Sequence, residues 1–91
     1  MIDRTAARHP DAFELIRGEA DKVREAPPGA RNDALRRAAF DLAREPGVDE
    51  HVARSYLVLA ARDAGLGFDE IHPTIRRGWD EGLASLHQAV S

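Results

Sequence analysis

The chain contains no cysteine, so neither a disulfide framework nor a thiolate metal site is open to it. No apolar run approaches the roughly 20 residues that a membrane-crossing helix requires. The opening segment, Met1 to His9 (MIDRTAARH), also lacks the apolar stretch of a secretory signal. A soluble protein in the cytoplasm is therefore expected, with no membrane partner. Excess basic charge is missing too. A formal net charge of -3 argues against a protein that wraps nucleic acid nonspecifically, because that affinity comes from neutralising many phosphates with a strongly basic surface. Any DNA contact must be local. Twelve arginines beside sixteen alanines are what a GC-rich coding sequence yields without selection for function, so arginine abundance is no evidence by itself.

The catalytic signatures are equally scarce. There is no phosphate-binding Gly-x-x-x-x-Gly-Lys-Ser/Thr loop, no Gly-x-Ser-x-Gly elbow and no dinucleotide fingerprint, and Gly65-Leu66-Gly67 is too short to count. The histidines His9, His51, His72 and His87 are scattered, without a spacing that sets two ligands on one helical face. The acids Asp11, Glu14, Asp21 and Glu25 read as the solvated side of a helix rather than as a carboxylate pair. A chain without catalytic residues, metal or cofactor is the expectation.

What the sequence does contain is helical periodicity. At 91 residues it can form one small core and not two, with residues 1–10 as a tail and 11–91 as a single domain. Phe13, Ile16, Ala20 and Val23 share one helical face over residues 11–26, and Pro27, Pro28 and Gly29 end that helix. Leu35, Ala39 and Leu42 mark a second helix over 32–45, with Asn32 as its favoured N-cap and Pro46-Gly47 as its stop. Asp49 caps a third, running to Asp63. Its apolar residues Val52, Tyr56, Leu59 and Ala60 on one side and Leu57, Val58 and Ala61 on the other point to a central position. Gly65 suits the left-handed residue after a helix end.

Ile71, Ile75, Trp79, Leu83, Leu86 and Val90 form the clearest stripe, and a long fourth helix follows from it. Pro73 interrupts it at about 3 kcal/mol, so a kink there, or a restart at Pro73, is expected. The fold class is thus all-α: a bundle of four helices, the last long and kinked or broken near Pro73.

Two stretches could carry chemistry. Gly29-Ala30-Arg31-Asn32-Asp33-Ala34-Leu35 brings a glycine, an arginine and an asparagine to a helix N-terminus, where unpaired N–H groups and the positive end of the dipole can hold an anion. The plainer reading makes Asn32 a cap and Asp33 an acid that complements the dipole. Thr74-Ile75-Arg76-Arg77-Gly78-Trp79-Asp80-Glu81-Gly82-Leu83 sets paired arginines beside a tryptophan. Trp79 lies on the buried stripe, which favours core over base stacking. Gly78 and Gly82 cost up to about 1 kcal/mol each relative to alanine in a helix and make sense if another helix packs closely there.

Together these stretches form a Gly-x-Arg-Asn-x-x-Leu-x-x-Ala-Ala-Phe-x-Leu helix start and a Gly-Leu followed by a Thr-Ile…Gly-x-x-x-Gly-Leu ending. They stand here as Gly29, Arg31, Asn32, Leu35, Ala38, Ala39, Phe40 and Leu42, then Gly65, Leu66, Thr74, Ile75, Gly78, Gly82 and Leu83. The pattern resembles the C-terminal helical domain of bifunctional DNA primase-polymerases of actinobacteria, their plasmids and their phages, and spans roughly residues 11 to 83. Arg17-Gly18-Glu19, Val23 and Ala26-Pro27 resemble that family's lead-in helix. Arg77 stands where the family usually has serine.

The resemblance implies a non-catalytic accessory module of a primase-polymerase that helps hold single-stranded template DNA or nucleotide during replication priming. Its partners would be that weakly bound strand or nucleotide, together with the catalytic primase-polymerase domain or another replication protein. The residues placed at the nucleic-acid or nucleotide site are Gly29, Arg31, Asn32, Arg37, Thr74, Arg76 and Arg77. The alternative is a stand-alone, phage-encoded helical module that binds a host or replication protein through a helix face.

Overall fold

A computed structural model describes residues 11–90, with side chains as far as Gln88. The 1–10 tail with His9, and the side chain of Val90, lie outside the described residues. Four helices follow one another: α1, Ala12–Glu25; α2, Arg31–Ala43; α3, Glu50–Ala64; and α4, Phe68–Val90. No strand occurs among the described residues. The chain is the all-α bundle that its periodicity predicts.

Local chemistry sets most boundaries. Asp11 caps α1 by accepting a hydrogen bond from the Phe13 N–H at 3.1 Å. The helix ends where Ala26, just before Pro27, turns extended at φ −65° and ψ 139°, the conformation that a following proline imposes. Asp49 caps α3 by accepting from His51 and Val52 N–H at 2.8 and 3.2 Å. Gly65, at φ +99°, closes α3 in the left-handed conformation, and the Leu66 N–H returns to the Ala61 carbonyl at 3.0 Å.

The start of α2 departs from expectation. Its cap is Ala30, without a side-chain hydrogen bond, and Asn32 already lies inside the helix. A cap acts through an oxygen that accepts from the following backbone N–H groups, and Asn32 lies past that position; its amide hydrogens go to α4, as described below. Helix α4 runs through Pro73 without interruption, so no restart occurs there. Asp69, whose carbonyl loses its helical partner to the missing proline N–H, and Pro73 are both exposed residues.

Side-chain contacts give the relative directions. The Arg24–Asp63 pair, at 3.2 Å, joins the C-terminal ends of α1 and α3, and the Phe13 and Tyr56 rings meet 6.3 Å apart toward their other ends, so these helices run parallel. Helices α2 and α4 also run parallel, through Asn32–Thr74 and Arg36–Glu81. Helix α2 packs against all three others and most intimately against α4, whereas α1 and α4 do not meet.

Helix α3, expected to be central, likewise meets all three other helices. One face of α3 (Ala53, Leu57, Ala60, Ala61, Ala64) is buried, but Leu59 is 51% exposed. Helix α2 buries Leu35, Ala38, Ala39, Leu42 and Ala43.

The core joins these residues to Ile16, Ala20 and Val23 of α1 and to Ile71, Ile75 and Trp79 of α4. Leu59 and Leu86 of the expected stripes fall outside it, as do Phe13, 50% exposed, and Leu83, 42% exposed. For Leu83 the reason is geometric. A row of residues four apart turns about 40° per step on a helix of 3.6 residues per turn, so three steps from Ile71 carry it roughly 120° away from the buried face. Thr74, Gly78 and Gly82 occupy that face instead.

Candidate nucleic-acid interface

The two stretches of interest meet along the α2/α4 contact. Asn32 lies against Thr74, the Arg36 carbonyl against Gly78, and the Phe40 carbonyl against Gly82. Each pair is separated by the same 42 residues (74−32, 78−36, 82−40), so rows spaced by four on the two helices run side by side. The glycines make this closeness possible. A Cβ on Gly82 would lie 2.5 Å from the Phe40 carbonyl oxygen and 2.9 Å from the Ala43 Cβ, and one on Gly78 would collide with the Arg36 carbonyl and reach the Ala39 Cβ at 3.0 Å. The close helix packing expected from the two glycines is found, with Ala39 and Ala43 as their small counterparts.

At the head of this contact, the Asn32 amide donates to the Thr74 hydroxyl at 2.8 Å and to the Glu70 carboxylate at 2.9 Å. Thr74 is 8% exposed and needs that partner, because a buried hydroxyl without one is costly. The sequence reading of Asn32 as a cap is therefore corrected. Both its amide hydrogens bridge to α4, and the cap position is held by Ala30 without a side-chain hydrogen bond. Arg31 is also engaged, its Nε donating to the Ala26 carbonyl at 3.0 Å and so holding the exit of α1 to the start of α2. Gly29, at φ +91°, shapes the turn between them.

Gly29, Arg31 and Asn32 line an open groove of about 260 Å³ with Pro28, Ala64, Gly65, Leu66 and Glu70. The uncapped start of α2 favours an anion there, and the Glu70 carboxylate opposes one. Further along, Arg36 bridges Asp33 and Glu81, both at 2.9 Å. The hydrogen bonds that it donates to Asp33 first and Glu81 second hold its guanidinium above the ordinary arginine value.

The remaining site residues lie apart from this groove. Arg76 and Arg77 line a second groove, about 410 Å³, with His72, Pro73 and Asp80. Arg37 lines a third with Arg36, Phe40 and Asp41. The structure thus brings Gly29, Arg31, Asn32 and Thr74 together, while Arg37 and the Arg76–Arg77 pair line other grooves.

Two participants escaped the sequence reading. Arg36 to Asp33 is a three-residue helical spacing that could have been seen, but nothing local links Glu70 to Asn32, 38 residues away. Among the described residues, no group of three His, Asp or Glu side chains is arranged to hold a metal ion, and no helix is long and apolar enough to cross a membrane. No protein-family model, curated protein or solved structure matches the chain.

Proposed function

We propose that this chain is a non-catalytic helical accessory module for DNA replication priming, which helps a primase-polymerase catalytic domain hold single-stranded template or nucleotide. The resemblance behind this reading is supported by the way its two halves combine. Asn32, Ala39 and Phe40 from the first meet Thr74, Gly78 and Gly82 from the second along one helix pair, so the pattern describes a single packed unit.

The phosphate-binding part rests on one observation. Most described arginines are engaged: Arg24, Arg36 and Arg54 pair with carboxylates, Arg31 holds a carbonyl, and Arg44 and Arg62 lie over phenyl rings. Arg17, Arg37, Arg76 and Arg77 have no such partner among the described residues, and all four are exposed; of these only Arg76 and Arg77 are adjacent. Adjacent Arg76 and Arg77 are the principal phosphate contacts in this reading, with Arg37 on a neighbouring surface. The α2 start contributes less, because Glu70 stands beside it.

Titration of labelled single-stranded DNA, and of ATP, at low salt tests the proposal. Weak binding is expected, with a salt slope of about −2 for two or three neutralised phosphates. Replacing Arg76 and Arg77 together by alanine should weaken it without changing the thermal melt. Absence of binding at high micromolar protein refutes the DNA reading.

A second reading is a stand-alone module that binds a host or replication protein. It draws on the exposed Phe13 and Leu59, at 50% and 51%, on the two helices that Phe13 and Tyr56 join. Saturable binding to a replication protein without any response to DNA would favour it.

A further inference from the structure

Trp79, the aromatic that stands next to the arginine pair in sequence, is only 7% exposed and belongs to the core, so it offers no ring to a ligand. The ring that is offered is Phe68. It is 62% exposed, the most exposed large apolar side chain among those described, and core packing does not account for it. Arg62, at the end of α3, lies over this ring with its guanidinium carbon 5.5 Å from the centroid, and it has no carboxylate partner among the described residues. A cation above a phenyl face is attractive. It also holds the ring in place, which lowers the ordering cost when a ligand stacks on it.

The position of Phe68 along α4 adds a second constraint. His72 and Arg76 follow it at four and eight residues, spacings that place all three along one flank of the helix, and both line the groove that contains Arg77. Eight residues correspond to about 12 Å of helix rise, roughly three nucleotides of a stacked strand at about 3.4 Å each. Asp69 and Asp80 border the flank, which limits the affinity of a phosphate track alone and leaves more of the binding to the ring. Proteins that hold single strands combine such a cationic track with aromatic faces on which bases stack, and arginine adds to the stack through its own plane.

We infer that Phe68, backed by Arg62, is a stacking platform for an unpaired base of the strand whose phosphates Arg76 and Arg77 contact. This inference rests on the nucleic-acid reading above and extends it from phosphate contact to base contact. It also names Arg62, His72 and Phe68 as site residues alongside the arginine pair.

The test compares labelled oligothymidylate with an abasic strand of equal length at low salt, using the full chain. Wild type should prefer the base-bearing strand by about 5-fold or more, the lower end of what one stacked base contributes. Phe68→Ala and Phe68→Leu should both abolish the preference while leaving abasic affinity unchanged; the leucine variant keeps apolar bulk and removes only the aromatic face. Phe68→Trp should retain it. Equal wild-type affinity for both strands, or a preference that survives in Phe68→Leu, overturns the platform and leaves phosphate binding standing. Failure of wild type to bind either strand overturns the nucleic-acid reading and the platform with it.

Discussion

Adding a single methyl group at Gly78 or Gly82 should loosen the whole fold, although the same change elsewhere in a helix would tighten it. Glycine to alanine inside a helix is favourable by about 1 kcal/mol through backbone entropy. Against that gain stands the contact distance. A Cβ on Gly82 would meet the Phe40 carbonyl oxygen at 2.5 Å, about 0.9 Å inside the ordinary limit near 3.4 Å, and the approach at Gly78 is closer still. The atom in the way is backbone within α2, so no rotamer change relieves it, and α4 must move outward. That movement stretches the Asn32–Thr74 bond and opens the seam between Leu35 or Leu42 and Ile71 or Ile75. Overpacking of this kind costs about 3 kcal/mol at the upper end of its usual range, and subtracting the helix gain leaves a net loss of about 2 kcal/mol. For a domain of this size each 1 kcal/mol moves Tm by about 4 to 8 °C, so each variant should melt roughly 8 to 16 °C lower. Gly18 is the control: it is exposed in α1, with nothing within 4 Å of an added Cβ, and Gly18→Ala should raise Tm by a few degrees. Thermal melts followed by far-ultraviolet circular dichroism make the comparison. If Gly78→Ala and Gly82→Ala melt at or above wild type, the close α2/α4 contact is wrong.

Three further outcomes follow from the same contacts. Trp79→Ala should cost about 3 to 5 kcal/mol, the range for emptying an aromatic core site, and native Trp79 emission should be blue-shifted; a red-shifted emission with little loss of stability would refute its burial. Asn32→Ala should cost about 1 to 2 kcal/mol by leaving the Thr74 hydroxyl without its partner, and Asn32→Ser, a favoured capping residue, should not restore the loss in a urea titration, whereas full rescue by serine would return Asn32 to the role of a cap. Incubation with template, nucleotides and magnesium or manganese should give no primer above a blank, and metal-dependent synthesis by homogeneous protein would contradict the non-catalytic reading.

The sequence by itself determined what depends on neighbours within about one helical turn. Asp49 acts as a cap, Pro27 ends α1 and Gly65 ends α3, because each is an interaction of a side chain or backbone angle with the residues immediately around it. The four helices, the burial of Trp79 and the need for a close neighbour at Gly78 and Gly82 were legible for the same reason. The tertiary structure alone decided which helix that neighbour is and where each site residue ends up. The 42-residue offset between α2 and α4 assigns Asn32 to Thr74 and Glu70 rather than to the helix end, and no local pattern encodes an offset of that length. Arg37 and the Arg76–Arg77 pair line grooves other than the one at the start of α2, so residues grouped by the sequence reading do not share one groove. Helix rotation did the rest. Residues four apart drift around a 3.6-residue turn, which carries Leu83 out of the core and brings Gly82 in, and only the position of the facing helix determines where along such a row burial stops.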